Sequence, residues 1–373
     1  MGVQTVKLFR ALGRINWPVL TLVLFLCGVG LLMQYSAGGG HFKPYAYSQG
    51  LRFLPGFCVM LTLIFIPIQT LMRYTYLFYF GCLGLLVLVE IAGHMGMGAQ
   101  RWIALGPVNL QPSELMKLAT IMALARYFHT LHPYERPSPL TLAIPVLILI
   151  VPAALILKQP NLGTASILLM VGGMMLLAAG VRWIYFIVIG GAGLIALPVA
   201  WQFLHDYQKQ RVLTFLDPEK DPLGAGYNII QSVIAIGSGG LFGKGFLKGS
   251  QGQLDFLPEK QTDFIFTMLS EEFGFLGSTV VIACYMLLIL YALGIAMASR
   301  NRFGALIAVG ISAMLFLHMF INIGMSMGML PVVGVPLPLL SYGGTMLVAM
   351  LAAFGLLLNV WAHRETQLKQ KGI

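Results

Sequence analysis

The chain is predicted to be an all-α integral membrane protein, and three observations carry that prediction. Of its 373 residues 58% are apolar and only 10% charged, and the mean hydropathy is +0.84, far from the balance of soluble domains. Apolar runs of about 20 residues, the length a helix needs to cross a bilayer, recur along almost the whole chain. Backbone polar groups in hydrocarbon must bond within their own segment, so these runs read as helices, and the alternation of a membrane β-barrel is absent.

About ten transmembrane helices are expected in one polytopic domain spanning 1–373, near 17–36, 51–70, 72–93, 113–131, 140–157, 163–180, 182–203, 264–298, 303–327 and 340–362. The first follows a basic stretch and could imitate a signal peptide. Its apolar run "WPVLTLVLFLCGVGLLM" is long and no small-residue cleavage pattern follows, so it reads as a retained span.

The fourth span opens with "NLQPSELMKLA". Ser113 can cap that helix, and Glu114 and Lys117, three apart, can pair. Charges in a span cost about 2.5–3.5 kcal/mol each even on gentle insertion scales, so each needs a partner. Either the two form a structural ion pair, or they line an outward cavity for a polar or anionic ligand, helped by Arg101 and Trp102 of "AQRWIALGP". The sixth span opens with "KQPNLGTAS", where Lys158, Gln159, Asn161 and Thr164 form an ordinary helix-start turn or a helix N-terminus whose amides face an anion.

Between the seventh and eighth spans lies one large extracytoplasmic loop, 204–263, and long loops in compact domains are usually functional. It begins with "HDYQKQRVLTFLDPEKDP", which contains Arg211 and whose Asp and Pro residues mark turns. A segment with nine glycines from Gly224 to Gly252 follows. It suits a partly membrane-inserted helix or irregular backbone lining a cavity. "GSGGLFGKGF" is no phosphate-binding P-loop, because Ser238 and Gly245 occupy positions where the pattern needs Gly and Ser or Thr. A looser role for Lys244 and Lys248 near phosphates stays open beside that of a surface-hugging loop.

The loop ends in "QLDFLPEKQTDFIFTMLSEEFGFLG", with five of the chain's thirteen carboxylates. Pro258 breaks any helix between Asp255 and Glu259, so the eighth span starts near Thr262 and Asp263. Asp263 either caps that helix or acts as a general base, since a carboxylate in a partly dry cavity can serve a hydroxyl nucleophile. Glu271 and Glu272 lie about 12 Å deeper, too far to cap, and must pair with cations or line an aqueous pocket. The tenth span opens with "PLPLLSYGGT", which holds Ser341.

Twelve Lys and Arg in short loops, from Lys7 to Lys371, fall on one side with only Glu135 and Glu365, whereas the other eleven acids fall outward. By the positive-inside rule the basic side, with both termini, is cytoplasmic. The formal charge of +10 is thus largely ordinary membrane bias, and nucleic acid is excluded as a partner. Cys27, Cys58, Cys82 and Cys284 have no metal or disulfide spacing, and of the seven histidines only His129 and His132 are close, so neither a metal site nor a Ser-His-Asp set is evident.

With these residues in view, the chain resembles the SEDS proteins (shape, elongation, division and sporulation), and within them the elongation members. "RVLTFLDPEKDPLGAGYNIIQSVIAIGSGGLFGKGFLKGSQGQLDFLPEKQTDFIF" resembles the family's large loop, and "RWIALGPVNLQPSELMKLA", "QPNLGT" and "PLPLLSYGGT" follow in the family's order. The resemblance implies a peptidoglycan glycosyltransferase that polymerises lipid II on the outer face of the cytoplasmic (inner) membrane. It implies a class B penicillin-binding protein (transpeptidase) and other elongation-complex proteins as partners. Asp263 matches the family's catalytic base, and Glu114 and Lys117 match the paired charges that shape its cavity. Arg101, Trp102, Asn161, Glu259 and Ser341 are further candidates for substrate binding. The departing diphosphate needs positive charge, for which Arg211, Lys117, Lys158 or a divalent cation, Mg or Mn, are alternatives. Two positions depart from the family pattern: Asn161 stands where Asp is common, and Gln261 where many members have His. Other classes of function are a flippase for a lipid-linked precursor and a scaffold that only holds a partner synthase.

Overall fold

A computed structural model describes residues 13, 15–96, 99–105, 108–131, 139–203, 209, 213–215, 217, 225–253, 257 and 259–368. Helices α1 (Trp17–Ala37), α2 (Tyr45–Phe65) and α3 (Ile68–Ala92) come first. Strands β1 (His94–Gly96), β2 (Ala99–Leu105) and β3 (Val108–Leu110) follow, then α4 (Pro112–Thr130), α5 (Pro139–Lys158), α6 (Leu162–Ala178) and α7 (Trp183–Phe203). The remainder is α8 (Ala225–Ser238), the short α9 (Ser250–Gln253), α10 (Ile265–Ala298), α11 (Arg302–Ser326) and α12 (Gly344–Ala362).

The chain is a multi-pass membrane protein. Seven helices among the described residues, α1, α2, α3, α5, α10, α11 and α12, are long and apolar enough to cross a bilayer. α6 and α7 are apolar but shorter over the stretch that qualifies, and α4 carries Glu114, Lys117 and Arg126. Helix starts follow local chemistry: Asn16, Asn161 and Asn301 each accept an amide of the first turn of α1, α6 and α11. Pro112 occupies the first turn of α4, where its missing N–H costs nothing.

Three local expectations are corrected. The second helix runs 45–65 rather than 51–70, because Ile66 before Pro67 is extended and α3 restarts at Ile68. The all-α expectation fails locally in the connector to α4, which forms a three-stranded antiparallel sheet, β1-β2-β3. α12 begins at Gly344, four residues late, because "SYG" belongs to the preceding loop.

α11 is the central post, packing on α4, α6, α10 and α12, and most of its side chains are buried. At one end of the bundle the Arg126 guanidinium donates to Arg73 O (2.8 Å) and Arg302 to Leu131 O (3.3 Å) and Ala179 O (2.8 Å). Arg300 pairs with Glu365 there at 3.2 Å.

The opposite end holds the starts of α4, α6 and α10 and the loop 327–343, whose second half is largely buried. Irregular backbone at such depth survives only where protein satisfies its carbonyls. Gln34 of α1 donates to Leu340 O (3.0 Å), Gln49 of α2 to Ser341 O (3.1 Å) and Tyr285 of α10 to Pro338 O.

Candidate active site

Asp263 sits in the turn just before α10 and is half-buried. Three consecutive carbonyls hold that turn. Gln261 O accepts from Tyr342 N (2.8 Å) and Gln34 Nε2 (3.0 Å), Thr262 O from Ser341 Oγ (2.6 Å), and Asp263 O from Asn322 Nδ2 (2.9 Å). On the preceding side the Glu259 carboxylate accepts from Thr262 Oγ1 (3.0 Å) and Gln261 Nε2 (3.2 Å). Such a backbone fixes where the Asp263 carboxylate can reach. Phe264 is at the N-cap of α10 and its side chain makes no capping hydrogen bond; Asp263 directly precedes it. Gly334, at φ +69°, lies against the carboxylate: a Cβ there would stand 3.6 Å from Asp263 Oδ2.

Glu114 and Lys117 pair at 3.0 Å in the first turns of α4, both nearly fully buried. Lys117 Nζ also lies 2.9 Å from His318 Nε2 on α11, and His318 Nδ1 is 3.4 Å from Pro336 O. Asn322, one turn further along α11, donates to Val335 O at 2.8 Å as well as to Asp263 O. Lys117 is thus linked to Pro336 through His318, and Asp263 to Val335 through Asn322. Ser113, expected as the cap of α4, lies inside the helix instead; Gln111 is at the N-cap.

The start of α6 also reaches the loop 327–343. Asn161 caps α6 by accepting from Thr164 N (3.3 Å), and a Cβ at Gly163 would stand 2.6 Å from Val333 O. Arg101, on β2, donates from Nε to Gln159 O (3.0 Å) and from its terminal nitrogen to Pro160 O. Trp102 is half-buried on β2 and Lys158 is exposed at the end of α5. The Ser341 hydroxyl is committed to backbone, accepting from Leu337 N (2.7 Å) and donating to Thr262 O. Arg211 lies outside the described residues.

The deeper acids are paired. Glu271, 1% exposed, accepts from Lys244 Nζ (2.7 Å), Ser250 Oγ (3.1 Å), Gln251 N (3.0 Å) and Gly252 N (3.3 Å). Glu272 accepts from Ser36 Oγ. Lys244 thus serves Glu271 rather than standing ready for a phosphate. Sequence reasoning missed Gln34, Gln49, His318 and Asn322, which hold the site together. The signal was available: uncharged polar residues inside apolar spans also need partners.

No three His, Cys, Asp or Glu side chains come together among the described residues.

Comparison with known proteins adds an independent line. Residues 17–366 match the profile of the cell cycle protein family FtsW/RodA/SpoVE. The peptidoglycan glycosyltransferase MrdB of Escherichia coli K12 is 42% identical over 351 residues, 93% of each chain. Stage V sporulation protein E of Bacillus subtilis is 38% identical over 355 residues, 91% of this chain and 94% of that one. Among solved structures, a chain from a peptidoglycan synthase complex that coordinates polymerization and crosslinking superposes with TM-score 0.82 at 33% identity, covering 95% of this chain and 99% of that one.

Proposed function

The chain belongs to the FtsW/RodA/SpoVE family of cell cycle proteins, and we propose that it is a peptidoglycan glycosyltransferase polymerising lipid II during cell elongation. Its relatives MrdB of Escherichia coli and RodA of Treponema pallidum are named peptidoglycan glycosyltransferases. Asp263 is the base. Its carboxylate takes the proton of the C4 hydroxyl of the acceptor's GlcNAc as that oxygen attacks C1 of the donor's MurNAc. The bond from C1 to the undecaprenyl diphosphate breaks with inversion, leaving one new β-1,4 bond and a free lipid diphosphate. The positive charge of Lys117 favours the charge that grows on the departing diphosphate.

The single observation that supports this assignment best is the anchoring of the Asp263 turn. Its backbone is held at the successive carbonyls of Gln261, Thr262 and Asp263, and the carboxylate lies beside Gly334. A group with a merely structural task has no need of a frame that rigid.

The remaining reading is coarser. One polytopic domain has its large loop 204–263 on the extracytoplasmic side, the arginine-rich end faces the cytoplasm with both termini, and the site faces the periplasm. The similarity to a chain of a synthase complex supports a crosslinking partner, a class B penicillin-binding protein.

Asp263→Asn protein, given lipid II in detergent, should polymerise about 100-fold more slowly or worse. Undiminished glycan chains would remove Asp263 from this role. Detergent has no two sides, so a flippase would leave lipid II untouched there, whatever the variant.

A further inference from the structure

His318 and Asn322 stand one turn apart on α11, at 1% and 0% exposure, and neither touches the reacting atoms of the proposed reaction. Asn322 commits both Nδ2 hydrogens to carbonyls, those of Asp263 and Val335. His318 lies between Lys117 Nζ and Pro336 O. An ammonium has only hydrogens to offer, so Nε2 must accept, which leaves the ring neutral with its proton on Nδ1, facing Pro336 O. Glu114 takes a second hydrogen of Lys117.

The consequence is geometric. Residues four apart on a helix have Cβ atoms about 6 Å apart, and here they grip two consecutive carbonyls, Val335 and Pro336. Lys117 stands at one end of this grip and the Asp263 backbone at the other.

We propose that His318 and Asn322 are positioning residues that use the Val335–Pro336 strip as a spacer, setting the interval between the Lys117 ammonium and the Asp263 carboxylate. The proposal rests on Asp263 as base. An inverting displacement needs its proton acceptor beside the incoming oxygen and its positive charge on the side of the departing diphosphate. The interval between those groups is therefore itself a catalytic requirement, and a misplacement of about 1 Å can cost about 100-fold.

Half-replacements of His318 separate its two contacts. The side-chain oxygen of His318→Gln can accept from Lys117 where Nε2 did, whereas His318→Asn keeps a donor for Pro336 O but falls short of Lys117. Purified variants are compared for kcat and KM on lipid II in detergent and for thermal unfolding midpoint, with Asp263→Asn alongside. His318→Gln, His318→Asn and Asn322→Leu should each lose about 10-fold or more in kcat with KM little changed, because each lets go of one side of the spacer. His318→Asn with wild-type kcat would overturn the proposal, as would losses that only follow the unfolding midpoint or failure of all three variants to fold. Full activity in Asp263→Asn would instead sink the assignment of the base and remove the spacer's purpose with it.

Discussion

Lys244 meets Glu271 at 2.7 Å across a separation of 27 residues, tying the glycine-rich segment to the interior of α10. The tie is continued by backbone: Lys244 N donates to Glu271 O, Gly245 N to Glu272 O, and Phe275 N to Gly240 O. The acids crowded near the start of α10 thus divide between two tasks. Asp263 faces the loop 334–336, whereas Glu271 latches the segment that precedes it in sequence.

That latch predicts a graded loss of stability. Lys244 is 29% exposed at its side chain and Glu271 keeps three other donors without it, so Lys244→Met should cost about 1–2 kcal/mol. Glu271→Leu strands a lysine and two backbone amides and should cost about 3–5 kcal/mol. Thermal unfolding in detergent measures both, and equal midpoints for the two variants would show that the latch carries no weight.

Gly274 makes the latch possible. It interrupts α10 at φ +65°, ψ −162°, a conformation essentially restricted to glycine, and an added Cβ would overlap Gly243 N. Gly274→Ala should therefore destabilise by about 3 kcal/mol or more. Gly28 in α1 has nothing within 4 Å of an added Cβ, so Gly28→Ala should be neutral or stabilise by up to about 1 kcal/mol. Unfolding midpoints that fall alike in both variants would contradict the account.

Gly163 predicts the opposite balance, with activity more sensitive than stability. Alanine suits the first turn of α6, but its Cβ would press on Val333 O and Val335 Cγ2, next to Gly334 and the Asp263 carboxylate. Gly163→Ala should slow lipid II polymerisation by about 10-fold while the unfolding midpoint moves little. Normal polymerisation with a lowered midpoint would place Gly163 in packing alone.

Much of the architecture was legible because the rule behind it is local. A long apolar run has only one way to satisfy its backbone in lipid, so helices lie at or near each segment where hydropathy put them. The boundaries slipped where a turn residue outweighed hydropathy, as at Ile66-Pro67 and "SYG". The β1–β3 sheet escaped notice because short strands depend on pairing with neighbours rather than on a run of their own.

By itself, then, the sequence determined the class of protein and, through spacing of three on a helix, the Glu114–Lys117 pair. Only the tertiary structure decided that Lys117 and Asp263, 146 positions apart in sequence, are linked to two adjacent carbonyls, Pro336 through His318 and Val335 through Asn322. The reason is physical: hydropathy and spacing are read along one chain. A buried carbonyl's choice of partner is made between chain segments, under the demand that no polar group in a membrane protein be left unmatched.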